Sequence, residues 1–128
     1  MGNSGVILLI DSDPILNNAN QCALHPRGYT VLTATSFSEA RALLAETEPD
    51  IILMEAILPD GDGFDFCKEI YGTTTASIVF LTSKSDDKDM VRGLELGADE
   101  YIRKPCRVDL IIARVEVVMR RRRRGRIR

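Results

Sequence analysis

The stretch that decides the fold is IILMEAILPDGDGF, residues 51–64. Its first four residues are apolar and typical of a buried β-strand, and the strand ends at one carboxylate, Glu55. A turn rich in Pro, Asp and Gly follows directly. A single charge at the end of a strand otherwise suited to burial indicates a functional position, and it raises the question of why the residue is a glutamate.

Similar apolar runs alternate with helical segments along the chain. Strands are predicted at residues 6–10, 29–34, 51–54, 77–81 and 100–105, and helices at 13–28, 36–49, 63–72, 86–97 and 108–121. The first helix has Asp13 as its N-cap, Pro14 at its first position and Gly28 as its stop. Either Ser36 or Ser38 can cap the second helix.

Five β-α repeats with strands that are apolar on both faces imply a parallel sheet covered by helices on both sides. Right-handed crossovers leave few arrangements of such a sheet. The sequence therefore predicts an α/β fold with three α/β/α layers. Its five-stranded parallel sheet has the flavodoxin-like order 2-1-3-4-5.

Composition restricts the class of protein. The chain has 128 residues, enough for one domain with a core, and 45% of them are hydrophobic and 28% charged. No apolar run approaches the roughly 18 residues of a membrane span. Three scattered cysteines and one histidine provide neither a zinc cluster nor a disulfide framework. We therefore expect a cytoplasmic protein that does not contact membranes.

Polar residues terminate four of the predicted strands. Asp11 follows the first strand, Glu55 the third, Thr82 ends the fourth and Lys104 the fifth. In open α/β sheets, ligands bind beyond the carboxyl ends of the strands, beside the point where the strand order reverses. Each residue alone would be an ordinary strand end or solvated charge. Together, two carboxylates, a hydroxyl and an ammonium suit a hard cation or a phosphoryl group.

With these residues the sequence resembles the receiver domains of two-component response regulators (CheY-like), and most closely the winged-helix (OmpR-type) class. The resemblance covers about residues 5–121 and rests on LLIDSDP, GYTV, PDIILMEAILPDGDGF, IVFLTS, GLELGADEYIRKP and ARVEVVMRR. It implies a signalling module and not an enzyme. In that family, a histidine kinase donates a phosphoryl group to an aspartate after the third strand and Mg²⁺ bridges the site. The last strand and helices then rearrange to change partners.

The resemblance also implies a role for each matching residue. Asp11 matches a metal-binding acid, Thr82 the hydroxyl that senses the phosphoryl group, and Lys104 its counter-ion. Tyr101 matches the aromatic residue that swings inward with that hydroxyl. The peptide bond that precedes Pro105 is expected to be cis.

Two positions of the pocket depart from the family pattern. Glu55 replaces the phospho-accepting aspartate, and its carboxylate reaches roughly 1.3 to 1.5 Å farther. Ser12 replaces a second metal-binding acid, and Asp13 is not free to substitute because it caps a helix. We expect that no cofactor is required. A Mg²⁺ site reduced to Asp11, Glu55 and a backbone carbonyl near Ile57 should be weak or absent.

Three functions remain possible from the sequence. The first is a pseudo-receiver that acts independently of phosphorylation, either because Glu55 imitates an acyl phosphate through Lys104 or Thr82 or because the pocket is inert. The second is an ordinary phosphorylation switch that tolerates both changes. The third is a flavodoxin-type cofactor-binding protein, which is disfavoured because DSDPIL lacks a glycine-rich loop for phosphate.

The end of the chain is strongly basic. Residues 120–128 hold seven of the 17 basic residues and no acid, so the remainder has 10 basic and 19 acidic residues. Such a run could bind nucleic acid without sequence preference. We expect instead a receiver domain at residues 5–121 and, at 122–128, the start of a linker to an absent output domain. The resemblance implies that this output domain binds DNA and controls transcription.

The resemblance also implies a homodimer through the fourth helix, the fifth strand and the fifth helix. The candidate charged pairs across this dimer face are Asp99 with Arg114, and Glu100 with Arg120 or Arg121. Met90 and Leu110 also belong to the face. Read without gaps, Met90 and Leu110 replace a basic and acidic pair, whereas a shift of one residue would make Asp109 the acid. Alternatively, Met90 and Leu110 pack within the monomer.

Overall fold

The structure is a computed structural model that describes residues 5–127, with side chains up to residue 125. Its strands are β1 (Val6–Ile10), β2 (Thr30–Ala34), β3 (Ile51–Met54), β4 (Ile57–Leu58), β5 (Gly61–Asp62), β6 (Ser77–Thr82) and β7 (Glu100–Arg103). Its helices are α1 (Pro14–Leu24), α2 (Phe37–Glu46), α3 (Gly63–Ile70), α4 (Asp87–Glu95) and α5 (Val108–Ile127), with a 3-10 turn at His25–Arg27.

Five of these strands form one parallel sheet in the order β2-β1-β3-β6-β7. This is the predicted order 2-1-3-4-5, since β4 and β5 pair only with each other in a small antiparallel hairpin. The strand order reverses between β1 and β3. The predicted α/β class and flavodoxin-like arrangement are therefore confirmed.

Local capping signals place the helices. The Asp13 carboxylate accepts a hydrogen bond of 2.9 Å from the Ile15 amide and so begins α1. Of the two candidate serines, Ser36 caps α2, because its hydroxyl accepts from the Glu39 amide at 3.0 Å. α1 itself ends before the predicted stop, and the 3-10 turn carries the chain on to Gly28, whose φ is 93°.

The sheet is buried on both faces, as its uninterrupted apolar strands require. One face packs on α1 and α5 through a core made by Ile7, Leu9, Leu24, Leu53, Val79, Val115 and Val118. The other face packs on α2, α3 and α4 around Phe37, Phe64, Phe66, Phe80 and Tyr101. Because each core fixes the sheet from one side, the carboxyl ends of the strands are held at a single edge.

The segment after Glu55 is more ordered than its turn-forming composition indicates. It forms the hairpin of β4 and β5, and Asp60 in its turn accepts from the Phe37 amide at 3.1 Å and from the Ser38 amide at 3.0 Å. The hairpin is thereby joined to the start of α2. This contact fixes the backbone that follows Glu55.

Helix α5 continues into the basic run that the sequence assigns to a linker, and it ends at Ile127. Whether the receiver domain ends at residue 121 remains a prediction, and Arg128 lies outside the described residues. No helix in the described part of the chain is long and apolar enough to cross a membrane.

Candidate functional site

The sheet itself positions the residues that follow its strands. The Asp11 amide donates to Ala34 O at 3.0 Å, the Glu55 amide to Ile10 O at 2.9 Å, and the Lys104 amide to Thr82 O at 2.8 Å. Each of these residues therefore extends the hydrogen-bond ladder by one step beyond its strand. As predicted from the strand ends, their side chains meet at one edge.

The Glu55 carboxylate is buried and fully engaged. Its Oε1 accepts hydrogen bonds from the Ala56 amide at 2.7 Å, from the Ile57 amide at 3.3 Å and from the Thr82 hydroxyl. Its Oε2 accepts from Lys104 Nζ at 2.8 Å. Four donors from three segments thus converge on one carboxylate.

Lys104 joins the two acidic residues of the site. Its Nζ lies 2.6 Å from Asp11 Oδ2 and 2.8 Å from Glu55 Oε2, and all three side chains are largely buried. The other Asp11 oxygen accepts from the Asp13 amide at 2.9 Å. One ammonium therefore neutralises much of the charge of two neighbouring carboxylates in a poorly solvated place.

The pKa values follow from this arrangement. Burial raises the pKa of Glu55, but the hydrogen bonds from Lys104 and Thr82 outweigh it, so the pKa lies below its usual value of 4.5. Burial lowers the pKa of Lys104, but the hydrogen bonds to Asp11 and Glu55 outweigh it and raise the pKa above its usual value of 10.5. Both residues are therefore charged at neutral pH.

Thr82 links the Glu55 carboxylate to Tyr101. The Thr82 hydroxyl donates to Glu55 and accepts from the Lys84 amide at 3.0 Å. The carbonyl of the same Lys84 accepts from the Tyr101 hydroxyl at 2.6 Å. A continuous series of hydrogen bonds therefore runs from the carboxylate to the aromatic side chain on β7.

The Tyr101 ring lies inside the molecule and is only 6% exposed. It packs against Phe80 with ring centroids 5.5 Å apart. It also fills the space beside Gly93 of α4, where an added Cβ would lie 2.9 Å from Tyr101 Cδ2. Burial, together with the charges of Asp89 and Glu55, raises the pKa of Tyr101 to about 12.

Ser12 and Asp13 contribute little to this cluster. Both are exposed, and the Asp13 carboxylate is used to cap α1. Asn17, which the sequence did not single out, is buried and donates to Asp11 O at 2.8 Å and to Ala34 O at 3.2 Å. A polar residue on the inward face of α1 was the signal that could have indicated it.

The pocket does not fit a strong Mg²⁺ site. Lys104 occupies the facing oxygens of Asp11 and Glu55, and Ser12 brings no charge. Within the described residues no group of three or more acidic, histidine or cysteine side chains is placed to hold a metal. The cavity behind the site is about 10 Å³, the space of about one water molecule. Mg²⁺ is usually held by one or two carboxylates and several waters, and here Lys104 engages the Asp11 and Glu55 oxygens that would bind it.

Comparisons with known proteins agree with the fold. The family model of the response regulator receiver domain matches residues 7–116. The chain belongs to the response regulator receiver family.

Individual relatives show the same likeness. The transcriptional regulatory protein AfsQ1 of Streptomyces coelicolor is 40% identical over 90% of this chain and 51% of its own length. The transcriptional regulatory protein KdpE of Mycobacterium tuberculosis is 35% identical over 91% of this chain and 51% of its own. A two-component response regulator from Clostridium difficile, whose crystal structure is known, superimposes with a TM-score of 0.88 at 32% identity over 92% of this chain and 98% of its own.

These findings confirm a CheY-like receiver domain related to OmpR-type regulators. The chain spans about half the length of the curated relatives that it matches. In this receiver domain the peptide bond between Lys104 and Pro105 is cis.

The residues of the predicted dimer face lie on or beside α4, β7 and α5, and several already have partners within the chain. Within the chain, Glu100 Oε2 lies 3.3 Å from Arg114 Nη1. The pairing of Asp99 with Arg114 across a dimer interface remains a prediction. Asp99 accepts from the Ile78 amide at 3.2 Å. Met90 is half-buried against the core, whereas Leu110 is 46% exposed.

Proposed function

We propose that this receiver domain signals without phosphorylation, because Glu55 takes the place of a phosphorylated aspartate. The observation that carries the proposal is the set of contacts of one carboxylate. Glu55 accepts from the hydroxyl of Thr82 and from the ammonium of Lys104, the two groups that in the family respond to the phosphoryl group. A charge therefore stands where the phosphoryl charge would arrive.

The position of Tyr101 supports an active-like state. In the family this aromatic side chain moves inward with the hydroxyl of the residue that Thr82 matches. Here the Tyr101 ring is buried and its hydroxyl donates to the carbonyl of Lys84, next to the Thr82 contact. The carboxylate thus contacts the Thr82 hydroxyl directly, and the backbone of Lys84 connects that hydroxyl to Tyr101.

The same geometry argues against phosphorylation of Glu55. Phosphoryl transfer depends on the position of the nucleophile, and an error of about 1 Å can cost about 10²-fold in rate. Both Glu55 oxygens are engaged by donors, and Lys104 bridges to Asp11 where a metal would have to bind. An incoming phosphoryl group would have to displace these contacts.

A receiver domain of this kind acts through an output domain. AfsQ1 and KdpE are transcriptional regulatory proteins about twice as long as the stretch they share with this chain. We propose that this domain likewise controls a DNA-binding output domain that follows it. The receiver domain pairs with a second copy through the dimer face. It contacts DNA only through the output domain. A histidine kinase, if one binds this domain, would act as a protein partner and not as a phosphate donor.

Intact mass spectrometry after incubation with acetyl phosphate and Mg²⁺ tests the proposal. We expect no adduct of ~80 Da on the wild-type chain. The matched control is the double variant Ser12→Asp with Glu55→Asp, which shortens the acceptor and restores the missing acid, and which should gain the adduct. A stoichiometric adduct on the wild-type chain would contradict the proposal and favour an ordinary phosphorylation switch.

A further inference from the structure

Arg122 differs from the four other arginines of residues 120–124. Its side chain is only 14% exposed, whereas Arg120, Arg121, Arg123 and Arg124 are exposed. It turns from α5 toward the amino-terminal edge of the sheet, the edge opposite the Glu55 pocket. Of these five consecutive arginines, Arg122 is therefore the one whose side chain packs against the domain.

Three acceptors hold the Arg122 guanidinium. Its Nη1 donates to Thr75 O at 2.7 Å and to Ser77 Oγ at 3.1 Å, and its Nη2 lies 3.6 Å from Asp50 Oδ1. The planar guanidinium presents donors from separate nitrogens in a fixed geometry, which the compact ammonium of lysine does not reproduce. Hydrogen bonds from a charged donor are also stronger than neutral ones.

The acceptors belong to the ends of the central strands. Asp50 precedes β3 and its other carboxylate oxygen accepts from the Val6 amide at 2.8 Å, so it also holds the start of β1. Ser77 begins β6, and its amide donates to Asp50 O at 2.9 Å. Arg122 is therefore attached to the same strands, β3 and β6, that carry Glu55 and Thr82 at their other ends.

We propose that Arg122 is a positioning residue that anchors the last turns of α5 to the sheet and sets the direction in which the following chain leaves the receiver domain. Without such an anchor, the end of a helix that projects beyond its core frays. The anchor makes residues 119–125 part of the rigid domain. The inference does not depend on the function proposed for Glu55.

Distance measurements between two spin labels test this directly. One label sits on Cys22, which is exposed on α1, and the other on a cysteine introduced as Gly125→Cys, a position with no neighbouring atoms within 4 Å of an added Cβ. Cys106→Ser removes the half-buried thiol, and Cys67 is buried. In the protein that carries Cys106→Ser and Gly125→Cys, we expect one narrow distribution of the distance between the two labels.

The variant Arg122→Gln should widen that distribution by about twofold or more, since the helix end then samples several directions. It should also speed amide exchange in residues 119–125 by roughly tenfold, with residues 108–117 unchanged. The matched control is Arg121→Gln, which removes the same charge from the neighbouring exposed residue and should change neither measurement. Arg122→Lys should give an intermediate width because it retains the charge but not the planar guanidinium.

Equal widths in Arg122→Gln, Arg122→Lys and Arg121→Gln would overturn the proposal. A loss of amide protection throughout the chain in Arg122→Gln would overturn it too, because Arg122 would then support the whole fold and not the exit of the helix.

Discussion

Glu55 differs from aspartate by one methylene group, and that group determines which atoms its carboxylate contacts. The extra length of roughly 1.3 to 1.5 Å brings Oε1 to the Thr82 hydroxyl and Oε2 to Lys104. The carboxylate still accepts from the amide of the next residue, Ala56, at 2.7 Å. Its position is thus fixed by backbone and side-chain donors together.

The pH dependence of stability should reveal these contacts. The pKa of Glu55 is lower in the folded chain than in the unfolded chain, so the unfolded chain takes up the proton first as the pH falls. The stability from ionised Glu55 is therefore complete above about pH 4.5 and is lost as the pH falls through the folded-state pKa.

Urea unfolding of wild type and Glu55→Gln across this range is the measurement. At neutral pH the variant should be less stable by about 1 to 3 kcal/mol, because Lys104 loses one of its two anionic partners. As the pH falls, the two curves should approach each other. A constant difference down to the lowest pH would show that the charge of Glu55 does not contribute.

At the scale of elements, the contact between α4 and β7 provides the space that the Tyr101 ring occupies. Gly93 leaves room for the ring, since an added Cβ would lie 2.9 Å from Tyr101 Cδ2 and 3.3 Å from Phe80 Cδ2. The inward ring then places its hydroxyl on the carbonyl of Lys84, which belongs to the loop after Thr82. The packing of one helix therefore supports the hydrogen bonds of the pocket.

Gly93→Ala should force the Tyr101 ring outward. We expect a loss of stability of about 1 to 3 kcal/mol from overpacking, reduced by the roughly 1 kcal/mol that alanine gains over glycine in a helix. The pKa of Tyr101, raised to about 12 by burial in wild type, should move toward 10.0. Nuclear magnetic resonance of the tyrosine rings measures it.

Gly125→Ala is the control for this change. It adds the same methyl group to α5 where no atom lies within 4 Å, so it should keep or raise stability and leave the pKa of Tyr101 unchanged. An unchanged Tyr101 pKa in Gly93→Ala as well would mean that the glycine is not what admits the ring.

The sequence predicted the elements that local chemistry specifies. The caps at Asp13 and Ser36 and the order of the sheet followed from residue types and periodicity. The hairpin after Glu55 did not follow from the sequence, because the contact that holds it joins Asp60 to the start of α2, 23 residues away. The docking of Arg122 did not follow from the sequence either, since nothing in a run of five arginines indicates that Arg122 is the one that contacts Thr75 and Ser77.

The sequence predicted which residues form the site but not which of their atoms contact one another. Strand ends indicated Asp11, Glu55, Thr82 and Lys104, because parallel strands bring their carboxyl ends to one edge. Which atom bonds to which depends on side-chain rotamers. The bridge from Lys104 to both carboxylates could be seen only in three dimensions.

At the scale of the whole molecule, the dimer face combines internal ion pairs with exposed apolar groups. Arg103 pairs with Asp87 at 2.6 Å and Arg114 with Glu100 at 3.3 Å within the chain, so fewer charges remain for a partner. Leu110 stands 46% exposed beside a groove of about 410 Å³ that Met90 also lines. An interface here would rest more on apolar burial than on ion pairs across it.

We therefore expect a homodimer that forms without phosphorylation and persists at high salt, because salt does not screen apolar burial. Sedimentation of wild type, Leu110→Glu and Ile15→Glu is the measurement. Leu110→Glu should be monomeric. Ile15→Glu, which changes an exposed apolar residue on α1, should stay dimeric. A monomeric wild type, or a dimer that tolerates Leu110→Glu, would remove this face from the mechanism.

The central claim is that Glu55 takes the place of a phosphorylated aspartate and thereby keeps Tyr101 inward. The contact between the Tyr101 ring and Gly93 reports on the position of the ring. Nuclear Overhauser effects from the ring to the Gly93 Hα protons can be compared in wild type, Glu55→Gln and Glu55→Ala. We predict strong effects in wild type with or without acetyl phosphate, weaker effects in Glu55→Gln, and their loss in Glu55→Ala. Equally strong effects in Glu55→Ala would contradict the account, because the ring would then be inward without the carboxylate.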